Sequence, residues 1–510
     1  MKKPCIGERK TGILPRLCNA AQNLCGRHAY NAPMKILRPM LLALLAGVSG
    51  AGHAALPESL ARPAREAGLP PGSIALWVAP AGSSQATLQH NASLPMNPAS
   101  VMKLLTTQAA LEHLGSSYNW QTTAYLRGAL REDGILLGDL GIRAGGDPFL
   151  TWDRLGQWLR DWRTRGLREI RGDIVLDERL FAPQPATPLP FDDSPHRAYN
   201  ADPAPFLVNF GALSLRLEPG IPGQGVRATA LQPATPLRLI NRLQSMAGAC
   251  PDWRNALRAD IAPEGTGLRV TLDGRMPGSC GERIFNLRAG DNLAWAETAI
   301  RAQWSELGGR WRGRLVRGEQ SPDAAAFSTW ASPPLSDVLR DMDKWSNNVV
   351  ARQVFLSLGA PDGVAWSVEH SRAWLRAWMP SQGLDPAQWV VDNGSGLSRD
   401  ERTTAQQLGA LLRAAWLGPR MPEFLAAQPV LGRDGTLRRR LVDSPLAGRA
   451  YIKTGTLDGV RSAAGFLLDI QGRWQTFVFL VNHPRAAQAE ALLDTLLREL
   501  YLASAVPTRD

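Results

Sequence analysis

Between residues 121 and 285 the chain changes its hydrophobic period, and no other feature limits its folding as much. Upstream, SIALWVAP and ATLQHN read as a strand hairpin, and VMKLLTTQAALEHLG then repeats apolar residues at helical spacing and stops at Gly115. From 121 the pattern shortens to strand-like runs with Gly and Pro between them: QTTAYLRG, GILLGDLGIRAGG, IRGDIVLDERLF, ALSLRLEP and LRVTLDG. One helical stretch, LTWDRLGQWLRDWRTRG, interrupts them. From about 286 the helical period returns, in NLAWAETAIRAQWSELGG, PLSDVLRDMDKWSNNVVARQVFLSLG, WSVEHSRAWLRAWMPSQG and TTAQQLGALLRAAWLG. Three strand runs follow, GRAYIKTGT, RSAAGFLLDI and RWQTFVFLVN, the last two joined at Gln471-Gly472, and AAQAEALLDTLLRELYLA closes as a helix. A chain of 510 residues exceeds one ordinary core. The pattern therefore reads as a mixed helix-and-strand domain, residues 55–120 and 286–510, opened by a β-rich insert with its own core, residues 121–285.

The first 54 residues read as a removable leader. Lys35 and Arg38 precede an apolar run from Met40 to Ala51 that is too short to span a bilayer, and Gly52-His53-Ala54 is a small-x-small cleavage site. This predicts export with cleavage after Ala54. The start is open between Met1 and Met34. The formal charge of +11 invites a nucleic-acid partner. Removing residues 1–54 takes away eight basic residues and one acidic residue and leaves about +4. No basic cluster with interleaved aromatics remains, so nucleic acid is not expected as a partner. Cys250 and Cys280 are the two cysteines left, and in an oxidising compartment an even pair predicts a disulfide, with two free buried thiols as the alternative. The amphipathic closing helix lacks flanking basic residues and aromatic anchors, so it is expected to pack on the sheet, with peripheral membrane contact at most.

The chain writes its positive charge as arginine. Seven of its 57 basic residues are lysine, and after residue 54 these are Lys103, Lys344 and Lys453. Arginine cannot release its proton at neutral pH; lysine can, if burial and a neighbouring cation lower its pKa. The three lysines are therefore suspects for chemistry. Ser100 and Lys103 stand three apart at a helix start, with Asn97 as a candidate cap and Pro98 in the first turn. A neutral Lys103 amine would activate the Ser100 hydroxyl. Ser346-Asn347-Asn348, just after Lys344, offers a hydroxyl and an amide two apart. Lys453-Thr454-Gly455-Thr456 places an ammonium and two hydroxyls on a strand, where Gly455 lets a bound chain approach the backbone and exposed N–H groups could serve an oxyanion. Each motif alone is weak; their order and the lysine census make them strong together. None of His90, His113, His196, His370 and His483 has a metal-ligand spacing, and no metal or cofactor is expected. Gly394-Ser395-Gly396 lacks the frame of a nucleophile elbow, and Gly145-Gly146-Asp147 is no dinucleotide fingerprint.

Ser-x-x-Lys, Ser-x-Asn and Lys-Thr-Gly in this order resemble the active-serine set of penicillin-binding proteins and serine β-lactamases. The 246-residue gap between Ser100 and Ser346, the Cys pair within it, and the phrases GGDPFLT, IRGDIVLDERLF, DNGSGLSRDERTT, GRDGTLRRRL and AYIKTGTLDGVRSAAGF are similar to the class C low-molecular-mass penicillin-binding proteins, the D-alanyl-D-alanine carboxypeptidase/endopeptidases of peptidase family S13. The resemblance covers essentially the whole chain after residue 54. It implies an α/β (α+β) fold: a β-lactamase/transpeptidase-like domain, an antiparallel sheet packed by helices, interrupted by two nested β-rich domains. It implies that Ser100 is acylated, Lys103 is the base, Ser346 relays a proton to the leaving D-alanine, Asn348 holds the substrate amide and Lys453 tunes the relay. Thr454 and Thr456 would bind the terminal carboxylate, and the N–H groups of Ser100 and Thr456 would form the oxyanion hole. Asp193, in FDDSPHRAYNA, would face the substrate side chain. Asn347 stands where Asp is common. The implied partners are peptidoglycan and its muropeptides, with β-lactams as covalent inhibitors, in the periplasm; a homodimer is left open. Two other readings compete: a β-lactamase or esterase on the same scaffold, and a non-catalytic peptidoglycan-binding protein.

Overall fold

The computed structural model describes residues 55–183, 191–192, 194–232, 236–250, 252–321, 324–359 and 363–502. The leader of residues 1–54 and Asp193 lie outside them. Among the described residues the strands form four sheets.

The sheet that carries the site has five strands in the order Ala450–Leu457, Val460–Leu468, Trp474–Asn482, Ile74–Pro80 and Leu88–His90, all antiparallel. Its strand Ile74–Pro80 reads as an unbroken apolar run because both faces are covered. Along Ile74–Pro80 the period of two sends Ala75, Trp77 and Ala79 into one core and Ile74, Leu76 and Val78 into another. The first core takes helices Lys103–His113 and Ala405–Leu417; the second takes Glu58–Glu66 and Glu490–Leu502. The apolar stripe of that closing helix, Leu492, Leu493, Leu496, Leu497 and Leu500, is thus spent on the sheet. Each buried leucine contributes about 1.5–3 kcal/mol. No helix among the described residues is long and apolar enough to cross a membrane.

The insert is built around a seven-stranded sheet: Arg310–Trp311, Glu169–Ile170, Ile135–Arg143, Gln121–Leu130 and Ala326–Ala331 in order, with Ile174–Asp177 pairing both Ile135–Arg143 and Leu315–Arg317. Strand pairing therefore runs past residue 285, where the sequence pattern ends the insert. The helix Asn292–Glu306 also belongs to this core. Its Trp295 and Trp304 meet Trp152 and Trp162 at 6.0 Å between ring centres. Between Ala212 and Arg288 the chain makes two smaller sheets, nested in sequence inside the larger one. A disulfide joins Cys250 to Cys280, closing a separation of 30 residues.

Candidate active site

Four chain segments meet at one end of the five-stranded sheet. The first is the turn before helix Lys103–His113. Asn97 is buried and fixed from both sides: its N–H bonds to Asn482 Oδ1 at 2.7 Å, and its Nδ2 donates to Ser398 O at 2.9 Å. Its Oδ1 accepts from Ala99 N at 2.8 Å and holds Ala99 at a φ of +46°. Asn97 thus anchors the start of a 3-10 turn, Ala99–Met102, whose cap position is Pro98, and the α-helix begins only at Lys103. In 3-10 geometry residues i and i+3 eclipse. Ser100 and Lys103 are such a pair, and Lys103 Nζ lies 3.1 Å from Ser100 Oγ.

The second segment is the junction of helices Leu335–Trp345 and Asn348–Leu356. The helical period of the sequence runs straight through it, but the backbone breaks. Ser346 turns left-handed at φ +56°, and the Asn347 side chain accepts from Val349 N and Val350 N as the cap of the next helix. Short polar side chains that can bond nearby N–H groups favour such caps over helix interiors. Asn347 is spent on this cap, and Asn348 Oδ1 reaches Lys103 Nζ at 2.6 Å.

The third is the edge strand Ala450–Leu457. Lys453 is fully buried, with Nζ 2.9 Å from Ser346 Oγ and 2.9 Å from Thr454 O. Ile452 N bonds outward to Pro429 O at 2.9 Å, and Ala450 O accepts from Leu431 N at 2.9 Å. Strand parity turns the N–H groups of Thr454 and Thr456 the same way, off the open edge. Gly455 is required by proximity: a Cβ there would stand 2.9 Å from Ser100 N and 2.8 Å from Pro98 O. These segments line a cleft of about 700 Å³ holding Ser100, Ser346, Asn348, Thr454, Gly455 and Thr456. A second cleft, about 510 Å³, shares Ser346 and Asn348 and is walled by Tyr199, Phe210 and Trp345.

The fourth segment, Gly394–Gly396, lies in the phrase DNGSGLSRDERTT, to which the sequence assigned no chemical role. The Ser395 carbonyl accepts from Lys103 Nζ, and Thr106 Oγ1 donates to Gly394 O at 2.6 Å. Gly396 sits at φ +82° because a Cβ would fall 2.0 Å from Ala99 O. The sequence also left unmarked two fully buried carboxyls, Asp343 and Glu401.

Burial, followed by the charge of Lys453, holds the Lys103 amine well below the ordinary lysine value, against the opposite pull of Asp343 and Glu401. Burial brings Lys453 down to about 8, against Asp343. It raises Asp343 to about 6 and Glu401 to about 7. The third suspect lysine is elsewhere. Lys344 Nζ pairs with Asp434 Oδ2 at 2.6 Å and donates to Gln428 O at 3.1 Å, so it is a structural cation. The arrangement provides a buried amine whose proton is weakly held against a hydroxyl, a second hydroxyl against a second buried lysine, and backbone donors on an open strand edge. That set suits acyl transfer from an amide.

The sequence model of the D-Ala-D-Ala carboxypeptidase 3 (S13) family matches residues 56–500. D-alanyl-D-alanine carboxypeptidase DacB of Haemophilus influenzae is 24% identical over 424 residues, covering 81% of this chain and 86% of its own length. The D-alanyl-D-alanine carboxypeptidase of Actinomadura sp. strain R39 is 27% identical over 394 residues, 74% of this chain and 71% of its own. The crystal structure of penicillin binding protein 4 (dacB) from Haemophilus influenzae superposes with a TM-score of 0.72 at 23% identity, over 87% of this chain and 99% of that one, so the fold is shared. A second crystal structure of that protein, complexed with a β-lactam, gives a TM-score of 0.69 at 23% identity over the same shares. With a family match that spans the insert as well as the catalytic segments, the chain belongs to the D-Ala-D-Ala carboxypeptidase 3 (S13) family and is a serine-type D-Ala-D-Ala carboxypeptidase.

Proposed function

We propose that the chain cuts the terminal D-Ala-D-Ala bond of peptidoglycan stem peptides through an acyl-enzyme on Ser100, and also opens D-Ala–diaminopimelate crosslinks. The observation that carries this reading is the environment of Lys103 Nζ. A neutral amine has two N–H donors and one lone pair. Asn348 Oδ1 and the Ser395 carbonyl accept the two donors, and the lone pair is left for the Ser100 hydroxyl. Ser100 Oγ–H gives its proton to Lys103 as Oγ attacks the penultimate D-Ala carbonyl carbon. The oxyanion is met by the N–H groups of Ser100 and Thr456. As the C–N bond breaks, Ser346 gives its hydroxyl proton to the leaving nitrogen beside the Lys453 ammonium, and the proton held by Lys103 replaces it. Asn348 holds the substrate amide, and Thr454 and Thr456 hold the terminal carboxylate. Water, with Lys103 again neutral, then releases the acyl group and restores Ser100.

Two clefts meeting at Ser346 and Asn348 give room for peptide on both sides of the scissile bond, which supports the endopeptidase half of the reading. The complex of the Haemophilus influenzae protein with a β-lactam supports β-lactam binding, and on the acyl-enzyme reading Ser100 would be the residue that takes it. The leader of residues 1–54 would deliver the enzyme to the periplasm, where its substrate lies. Fluorescent penicillin labelling combined with muropeptide mass spectrometry tests the whole. The wild type should label and release D-alanine, and Ser100→Ala should do neither. A folded wild type that takes no label overturns the acyl-enzyme; rapid loss of label without D-alanine release favours a β-lactamase instead.

A further inference from the structure

The catalytic segments bury two lysines against each other, and the proposed chemistry needs them in different protonation states. Lys103 must be an amine and Lys453 an ammonium. Both lose charge by burial, so something must hold the charge at Lys453. Asp343 stands one turn before Ser346 on helix Leu335–Trp345 and is fully buried. Both of its hydrogen bonds fall on one oxygen: Oδ2 accepts from Thr107 Oγ1 at 2.7 Å and from Gln428 Nε2 at 3.0 Å. Thr107 is one turn beyond Lys103, and Gln428 lies just before the segment that borders the Lys453 strand. Asp343 Oδ1 has no hydrogen-bond partner among the described residues. A carboxylate clamped by one oxygen, with the other bare and with two lysines in its field, is placed for a charge task beyond simple packing.

We propose that Asp343 is a positioning residue of the reaction: its carboxylate is the counter-charge that keeps Lys453 an ammonium while Lys103 stays an amine. This rests on the acyl-enzyme reading above. The charged groups that bear on Asp343 are Lys103, on helix Lys103–His113, and Lys453, on the edge strand; Glu401, from the loop that carries Ser395, and Arg352, from the helix after Ser346, bear on Lys103. Lys344, its chain neighbour, is already neutralised by Asp434. The carboxylate stabilises positive charge at both lysines, and the two pull apart because Lys103 also faces Arg352 and Lys453 itself. Acylation should therefore follow a bell in pH. It rises as Lys103 loses its proton and falls as pH passes about 8, where Lys453 loses its own.

The variant Asp343→Asn separates charge from packing, because an Asn oxygen at the Oδ2 position keeps the Thr107 and Gln428 bonds. Rates of acylation by fluorescent penicillin across pH should show both limbs of the bell moved to lower pH by about one unit. A bell that loses height without moving overturns the assignment and leaves Asp343 a packing residue. A second reading needs no variant. The chain has seven lysines, few enough to label with carbon-13 at Cε and assign with Lys344→Arg as a control. At pH 7 the wild type should show Lys453 charged and Lys103 neutral, with the Lys453 signal responding as a carboxyl titrates near 6. Two charged lysines, or a Lys453 signal blind to that titration, also overturns it. Failure of the acyl-enzyme reading looks different: the wild type then takes no label at any pH.

Discussion

At the scale of single residues, the site rests on what lysine can do and arginine cannot. Lys103 has no solvent exposure and sits among Ser100, Asn348 and the Ser395 carbonyl. A guanidinium there would stay protonated and present no lone pair. Lys103→Arg is expected to fold, with a melting temperature within a few degrees of wild type, and to lose about a thousandfold or more in acylation rate, the range of general-base catalysis. Stopped-flow labelling with fluorescent penicillin, with a thermal melt as control, checks it. Retained labelling would remove Lys103 from the base's role. This residue stood out in the sequence because a chain that writes nearly all its positive charge as arginine kept a lysine here, and the structure buries it against Ser100. Lys344 carried the same mark and is an ion-pair partner of Asp434. Asp343 and Glu401 carried none. One buried carboxyl has no spacing that separates it from the many solvated ones, and its charge task depends on neighbours that arrive from other segments.

Elements position these residues through the bonds between segments. Helix Asn348–Leu356 carries Asn348, the residue proposed to hold the substrate amide, at its first position and grips the insert one and a half turns later. The fully buried Gln353 donates from Nε2 to Gly146 O at 3.1 Å and Ala204 O at 2.7 Å, and its Oε1 accepts from Ala204 N at 3.3 Å. Arg352 adds bonds to Tyr199 O and Ala201 O. Gln353→Ala would strand three buried backbone groups, at about 1–3 kcal/mol for each unsatisfied group. The expected result is a loss of several degrees in melting temperature together with a raised KM for muropeptides, since Asn348 moves with the helix. Differential scanning fluorimetry and D-alanine release measure the two. An unchanged KM at lowered stability would mean that the insert does not set the position of Asn348. The helices and strands themselves were legible where one pattern sufficed, as in the apolar runs of the five-stranded sheet. The break at Ser346 was hidden because apolar residues keep helical spacing on both sides of it.

For the whole molecule, the order of segments in the chain and in space differ most in the insert. Gln121–Leu130 pairs with Ala326–Ala331, some two hundred residues on, and no local period announces such a pairing. That is why the sequence pattern changes near residue 285 while the strand pairing of this sheet runs on. The smaller sheets nested between Ala212 and Arg288 bury Leu215, Trp253, Leu272 and Phe285, yet part of their strand surface is exposed, as in Val226–Ala230 and Leu237–Asn241. The Cys250–Cys280 disulfide lies here, joining the loop after Gln244–Met246 to the end of Gly267–Pro277. Closing a loop of about 30 residues removes unfolded-state entropy equivalent to about 3.6 kcal/mol in the chain-entropy account. No strand of this four-stranded sheet lines either cleft. Replacing both cysteines with serine should therefore lower the stability of the insert by about that amount and leave the acylation rate at 25 °C unchanged. Denaturant unfolding followed by tryptophan fluorescence, with penicillin labelling across the same series, distinguishes the outcomes. If labelling falls in step with the first unfolding transition, the nested sheets and the catalytic segments unfold as one unit. If labelling survives that transition, the catalytic domain holds Ser100, Lys103 and Lys453 in register without them.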